Sequence, residues 1–452
     1  MPVSEYDVTN ILGVKIYQKG RLIEGGISIS DGKIIKLGRG AALPASAGTV
    51  DARGLVALPG LIDVHVHLRD LEQSYKEDYL SGTCAAAAGG FTTLIDMPNT
   101  TPVTDSVERL REKMDLAKRK IVVNVGLNIV PSSLEAVTEA RDLAMGYKMN
   151  LVRQWSSLST DDASLRSLID RATEIGKMAI FHAEEGEIVS KLESGLKESM
   201  SIRSYYRAHP PEAEDAAVAR VLKCAREQGA RIHFCHVSSV GSLRLIQKAR
   251  REGRQVTCEV TPHHMFLSEE SSSKLGGVSV MDPPLRRKEV TTKLFEALRR
   301  RIADIVASDH APHSIEEKKR ANWWEILPGI PGLETTVPLL LTEVTKGTIS
   351  LKRVVEALAE SPAKIFGISR GELREGAVAD IILVDMKRRF KIDSSTFLSK
   401  AKYSPFDGRR VAGKVIKTFV GGKLVYDEGR IIGEQGSGSI IYPKTVGRSL
   451  FA

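Results

Sequence analysis

An α/β fold, a TIM-type (β/α)8 barrel with a small composite β domain built from both termini, is what this 452-residue sequence predicts. Three observations carry that expectation. Short runs rich in Val, Ile and Phe alternate with longer helix-like stretches from residue 61 to 308. Segments with two-residue alternation and glycine turns stand at both ends of the chain. All ten histidines lie between His65 and His313, inside the alternating region.

Residues 1–58 include GGISISDGKIIKLG and read as strands joined by turns, the first part of the β domain. Residues 59–370 form the predicted barrel. Its candidate strands are LIDVHVHL (61–68), TTLIDM (92–97), IVVNVGLNIV (121–130), YKMNLV (147–152), MAIFHA (178–183), RIHFCH (231–236), QVTCEV (255–260) and ADIVAS (303–308). Stretches between them, such as LEAVTEARDLA and LRLIQKARREG, repeat apolar residues at helical spacing. CAAAAGG (84–90) reads as a tightly packed helix end. Residues 371–452 return to β character in VADIILVD and TFVGGKLVYDEGR, with GEQGSGS (433–439) as a surface loop.

A composition 42% hydrophobic and 27% charged excludes intrinsic disorder, and no run approaches the ~18 apolar residues of a membrane span. The opening MPVSEYDVTN has acids where a signal peptide needs basic and then apolar residues, so a cytoplasmic protein is expected. Cys84, Cys224, Cys235 and Cys258 form no CxxC pair, which argues against a disulfide scaffold or a zinc finger. The net charge is +9, but the triplets Arg286-Arg287-Lys288, Arg299-Arg300-Arg301 and Lys318-Lys319-Arg320 are scattered. Without interleaved aromatics they read as solvated faces, not a nucleic-acid surface. A small anionic substrate suits the positive field.

His65 and His67 flank Val66 on a predicted strand, where residues two apart share a face, so both imidazoles can approach one ion. His182 and His236 close the fifth and sixth runs, at the end of the barrel where such folds place their active sites. Asp309, after the eighth run in ASDHAPH, adds a carboxylate able to bind metal or relay a proton; capping the next helix is the plainer alternative. His310 beside it is assigned no role.

Together, PGLIDVHVHLRD, GFTTLIDMPNTTP, FHAEE, CHVSSVGSL, CEVTPHHMFLS, DPPLR, ASDHAPHSIEEKK and PGIPGLETTVPLLL resemble the dihydroorotase family of the amidohydrolase superfamily. YSPFDGRRVAGKVIKTFVGGKLVY is similar to that family's closing β segment, so the resemblance spans nearly the whole chain. It implies two divalent cations, zinc by preference. His65 and His67 with Asp309 would hold one, and His182 with His236 the other. Lys148 in GYKMNL stands where many members carry a carboxylated lysine that bridges the pair, since a carbamate offers an oxygen to each cation while an ammonium repels both. Some members bridge with aspartate, so Asp161 or Asp162 is the alternative, although both also suit a helix start.

Arg69, Asn99 and His313 resemble the residues that hold the substrate carboxylate and ring. The implied reaction is reversible hydrolysis of L-dihydroorotate to N-carbamoyl-L-aspartate in pyrimidine biosynthesis, with Asp309 as base and then acid. Departures are Leu71-Glu72 where many members read Pro-Gly, and Asp282 where many have Asn. Cys235 and Glu259 are similar to a third metal position of some members, with buried packing as the simpler reading. Trp155, Trp323 and Trp324 suit lids, partner contacts or packing. The resemblance allows a homodimer or association with aspartate carbamoyltransferase, and no membrane partner. The alternatives are a hydantoinase- or allantoinase-like enzyme, against which Arg69 with Asn99 counts, and a non-catalytic interaction protein of the same fold.

Overall fold

Both ends of the chain build one sheet. A computed structural model describes residues 8–38, 43–44, 46–199, 201–225 and 229–443; residues 1–7 and 444–452, at the outer limits of the predicted β segments, lie outside the described residues. The N-terminal strands are β1 (Thr9–Gln18), β2 (Arg21–Ser30), β3 (Lys33–Gly38), β4 (Gly48–Asp51) and β5 (Val56–Pro59). After the central region, which holds the next eight, come β14 (Ile381–Lys391), β15 (Arg410–Val420), β16 (Lys423–Asp427) and β17 (Arg430–Ile431). The order is β17-β16-β15-β14-β5-β1-β2-β3, with β4 on β1. Antiparallel pairing of Ile381–Val384 with Val56–Pro59 joins the two ends. Alternate residues of both parts, among them Ile11, Ile16, Ile27, Ile381 and Phe419, close over a shared apolar core.

Each of the eight predicted runs contains a strand: β6 (Leu61–Val66), β7 (Phe91–Asp96), β8 (Asn124–Leu127), β9 (Tyr147–Asn150), β10 (Met178–His182), β11 (Arg231–Phe234), β12 (Gln255–Val260) and β13 (Ile305–Val306). All pair in parallel, β6-β7-β8 in one sheet and β13-β12-β11-β10-β9 in another. Single parallel bridges, Ile129 to Tyr147 and Val66 to His310, link the sheets at both edges. These strands are buried on both faces, which explains their continuous apolar runs.

Helix Tyr79–Gly89 ends as expected at Gly90, which takes the left-handed conformation. A Cβ on Gly89 would meet the Leu333 carbonyl oxygen at 2.2 Å, so the glycine lets two elements pack at backbone distance. Of LEAVTEARDLA only Leu134–Glu139 is helical, whereas LRLIQKARREG lies largely within the full helix Val240–Arg251.

Two expectations need correction. The segment around 433–439 is more than a surface loop. Gly438 donates to Ile121 O, while Val125 donates to Ser439 O and accepts from Ile441 N, so this part of the chain pairs beside β8. Nor are the basic triplets all solvated. Arg286 is buried and donates to Ser238 Oγ and His209 O; Lys318 is buried and donates to the carbonyls of Val280, Leu327 and Gly329. Each reaches inward because backbone carbonyls left by irregular loops need donors. Arg301 instead pairs at the surface with Glu356.

Candidate metal centre

Parallel strands end on one side, and the histidines follow from that. His65 lies within β6 and His67 just beyond it, Lys148 lies in β9, His182 ends β10, His236 follows β11 by two residues, and Asp309 follows β13 by three. Asp309 Oδ1 is 3.3 Å from Nε2 of His65 and 3.3 Å from Nε2 of His67. His182 Nδ1 and His236 Nε2 are 3.1 Å apart, and the rings of His65 and His236 are 5.1 Å apart. The Lys148 amine is buried with its nitrogen 2.8 Å from Cys235 Sγ. Arg69, Asn99, His313, Asn150 and Trp155 join these donors around a cavity of about 140 Å³.

The donor set fits divalent cations. His65, His67 and Asp309 present one atom each within 4.8 Å of one another. Burial pushes His67 down to about 4 and His236 well below the usual imidazole range, so both are neutral and offer a lone pair. Burial alone would raise Asp309, but the charge carried by His65 outweighs it and holds the carboxylate well below its usual range. Burial opposes charge on His65 too, yet Glu259, with Cys235 and Asp309, carries it well above its ordinary value. Carboxylates on both sides of a buried ring call for positive charge between them.

Behind these donors lies a second layer. Glu259 accepts from His65 Nδ1, from His233 Nε2 and from His236 N. Asn99 Oδ1 is 2.6 Å from His67 Nδ1, and Glu184 Oε2 is 2.9 Å from His182 Nε2. Such partners set which ring nitrogen faces the cavity. Backbone strain marks the same places: Arg69, Asp70, Leu71, His236 and Asp309 are all non-glycine residues with φ between 31° and 57°. Each costs on the order of 1–3 kcal/mol and persists because surrounding bonds over-determine it. Asp70 shows how: its carboxylate accepts from Leu71 N, Tyr79 N and Lys120 Nζ, shaping the loop where Leu71 and Glu72 stand.

His65, His67, Lys148, His182, His236, Asp309, Arg69, Asn99 and His313 all line this cavity, whereas Cys235 and Glu259 stand outside its lining with ligand atoms within 4.8 Å of that of His65. Asn99 has its carbonyl committed to His67, leaving only its amide nitrogen for a substrate. Asp161 caps helix Asp162–Glu174 by accepting from Ser164 N, and Asp162 lies 3.6 Å from Arg220, so neither bridges the histidines. Asp282 lines the cavity, with Arg153 at 3.7 Å and His209 at 3.4 Å. Although burial opposes it, Asp282 and Glu184 push His209 up to about 10, so cations face the Asp282 carboxylate. Trp323 and Trp324 pack on a cluster that includes Tyr205, and Trp324 Nε1 donates to Ser199 O.

Sequence reasoning missed Glu184, His209, Arg153 and the anchoring role of Glu259. Only Glu184 carried a signal, two residues after His182 in FHAEE.

A fold of parallel strands whose ends gather imidazoles and a carboxylate defines a metal-dependent hydrolase class, and the amidohydrolase family profile matches residues 56–425; the chain belongs to that family. It is 38% identical over 418 residues to a dihydroorotase of Methanothermobacter thermautotrophicus, covering 92% of this chain and 93% of that one. It is also 38% identical to a dihydroorotase of Geobacter metallireducens, covering 91% and 99%. Among solved structures it is similar to the L-hydantoinase (dihydropyrimidinase) of Arthrobacter aurescens, with TM-score 0.92, 30% identity and coverage of 96% and 99%. The dihydropyrimidinase of Brevibacillus agri gives 0.90, 27%, and 97% and 99%.

Proposed function

We propose that this chain is a dihydroorotase, hydrolysing L-dihydroorotate reversibly to N-carbamoyl-L-aspartate. One observation carries the choice of substrate: Arg69 and His313, 3.3 Å apart, share the cavity with the donor cluster. A carboxylate-bearing ring suits donors beside a hydrolytic centre. The reading is supported by the identity to the dihydroorotases described above.

His65, His67 and Asp309 would hold one divalent cation and His182 with His236 a second, with Lys148 as a carbamate between them. Zinc-like ions there supply an acidified water and an electrophile for the amide carbonyl. Arg69 and the Asn99 amide orient the substrate carboxylate. Asp309 takes the proton of the attacking water and returns it to the ring nitrogen as the amide C–N bond breaks. In the reverse direction it removes that proton.

The finer architecture belongs to the same reading: a closed eight-stranded barrel over residues 59–370, supported by the two single bridges, and a β domain from 1–58 and 371–452, supported by the nine-stranded sheet. So do a cytoplasmic setting and assembly as a homodimer or with aspartate carbamoyltransferase. Among the described residues no helix is long and apolar enough to cross a membrane.

A hydantoinase-like activity is the second reading, favoured by the TM-score of 0.92 to an L-hydantoinase and by the acidic Asp282 at the cavity. Turnover of dihydroorotate, hydantoin and allantoin by zinc-loaded protein decides between them. Dihydroorotate alone should be opened well, and Arg69→Met should lose that preference. Faster opening of hydantoin by the wild type would reverse the assignment.

A further inference from the structure

His313 is a neutral imidazole with one donor and one acceptor beside each ring nitrogen, and the shorter contact at each nitrogen decides which one carries the proton. Nδ1 is 3.2 Å from the Lys76 ammonium, which can only donate. Nε2 is 3.0 Å from the carbonyl oxygen of Pro328, which can only accept. Both contacts are satisfied only when Nδ1 is bare and Nε2 bears the hydrogen. The opposite tautomer would have to use longer contacts, Glu317 Oε2 at 3.4 Å from Nδ1 and Arg69 Nη2 at 3.3 Å from Nε2, and would leave Lys76 facing an N–H and Pro328 O facing a lone pair.

The supports of Lys76 are in place. Burial lowers Lys76 from its ordinary value, and Glu317 Oε1, 3.0 Å from its nitrogen, opposes that shift in favour of the ammonium. Tyr75 donates to Glu317 at 2.8 Å, and Tyr403 Oη accepts from the His313 backbone N–H at 3.2 Å. Burial also pushes His313 down to about 3, against the pull of Glu317, so the doubly protonated ring is excluded at neutral pH.

We propose that Lys76 is a positioning residue that locks His313 as its Nε2–H tautomer, with that hydrogen on the Pro328 carbonyl, and so keeps the Arg69 guanidinium free for the substrate's anionic group. With Nε2 bare, the imidazole would accept from Arg69 Nη2, 3.3 Å away, and the guanidinium would be tied up by its neighbour. With Nε2 protonated and donating to Pro328 O, Arg69 Nη2 finds no lone pair on the ring and can turn only to another acceptor. Lys76 is not among the residues lining the cavity, so it acts through His313. The consequence for turnover rests on the dihydroorotase reading; the tautomer does not.

The test is long-range nitrogen–proton correlation NMR on zinc-loaded, ¹⁵N-histidine-labelled enzyme, with the His313 signals assigned from His313→Gln. Wild type should show a protonated Nε2 and a bare Nδ1. Lys76→Met should shift His313 toward the other tautomer or a mixture, and raise KM for dihydroorotate about tenfold or more with kcat changed far less. Lys76→Arg should restore both. Glu317→Gln should leave the tautomer unchanged, because the donor to Nδ1 remains. A wild-type Nδ1–H signal, loss of the Nε2–H tautomer in Glu317→Gln, or an unaltered His313 in folded Lys76→Met would overturn the proposal. If dihydroorotate is not a substrate at all, the spectra still decide the tautomer, so the two readings fail separately.

Discussion

One oxygen of Asp309 lies 3.3 Å from Nε2 of His65 and the same 3.3 Å from Nε2 of His67. His65 lies in the first strand of the central region, His67 just beyond it and Asp309 just after the last strand, so the triplet exists only where the two ends of that region come together. The bridge from Val66 to His310 makes that junction. An asparagine at 309 keeps the shape and removes the proton acceptor. Asp309→Asn should therefore lower kcat for dihydroorotate by roughly 100- to 10,000-fold with an unchanged circular dichroism spectrum. Full activity in this variant would end the assignment of Asp309 as base and acid.

Glu259 orients His65 from behind, while also accepting from His233 and His236 N. Glu259→Gln retains the size of the side chain but removes its charge. Retention of zinc against a competing chelator should weaken by about 10–100-fold, as for other outer partners of ligating histidines.

Lys148 is an amine buried among histidines, with Cys235 Sγ as its contact at 2.8 Å. Carbamate formation would convert a repelling charge into a bridging ligand. Intact mass of active enzyme under native conditions should exceed the sequence mass by one carbon dioxide, lost on acidification. Lys148→Met should carry less than the full complement of metal. An unmodified mass in fully active protein would assign the bridge elsewhere.

Helix Tyr79–Gly89 meets the start of helix Leu333–Thr345 without room for a methyl group. Gly89→Ala places a Cβ against a backbone oxygen that cannot rotate away. Chemical unfolding should show a loss of about 1–3 kcal/mol, at the upper end of that range.

Glu334 accepts from the backbone of Leu398 and Ser399, and burial pushes its carboxyl up to about 8 from 4.5. The folded state thus holds a proton that the unfolded state releases near 4.5. Its stabilising contribution is complete below that value and is lost as pH rises through 8. Because the residue is only partly shielded from solvent, the loss between pH 6 and 9 should be on the order of 1–2 kcal/mol. Thermal melts of Glu334→Gln should show a smaller decline over this interval than wild type.

Strand positions, and the rim on which the candidate donors stand, followed from the order of residues alone. Runs such as MAIFHA and QVTCEV are apolar because parallel strands are buried on both faces, and a histidine at the end of such a run must lie at one rim of the sheet. What surrounds those donors depends on long-range contact. Glu259 sits 194 positions from His65, Lys76 sits 237 from His313, and Ser439 joins β8 across the whole central region. A local pattern states which face a side chain takes, but hydrogen bonds form between whatever the fold brings within about 3 Å. For that reason the candidate donors could be placed at one rim from spacing, whereas the anchoring carboxylates and the inward-turned Arg286 and Lys318 were decided only by the tertiary structure.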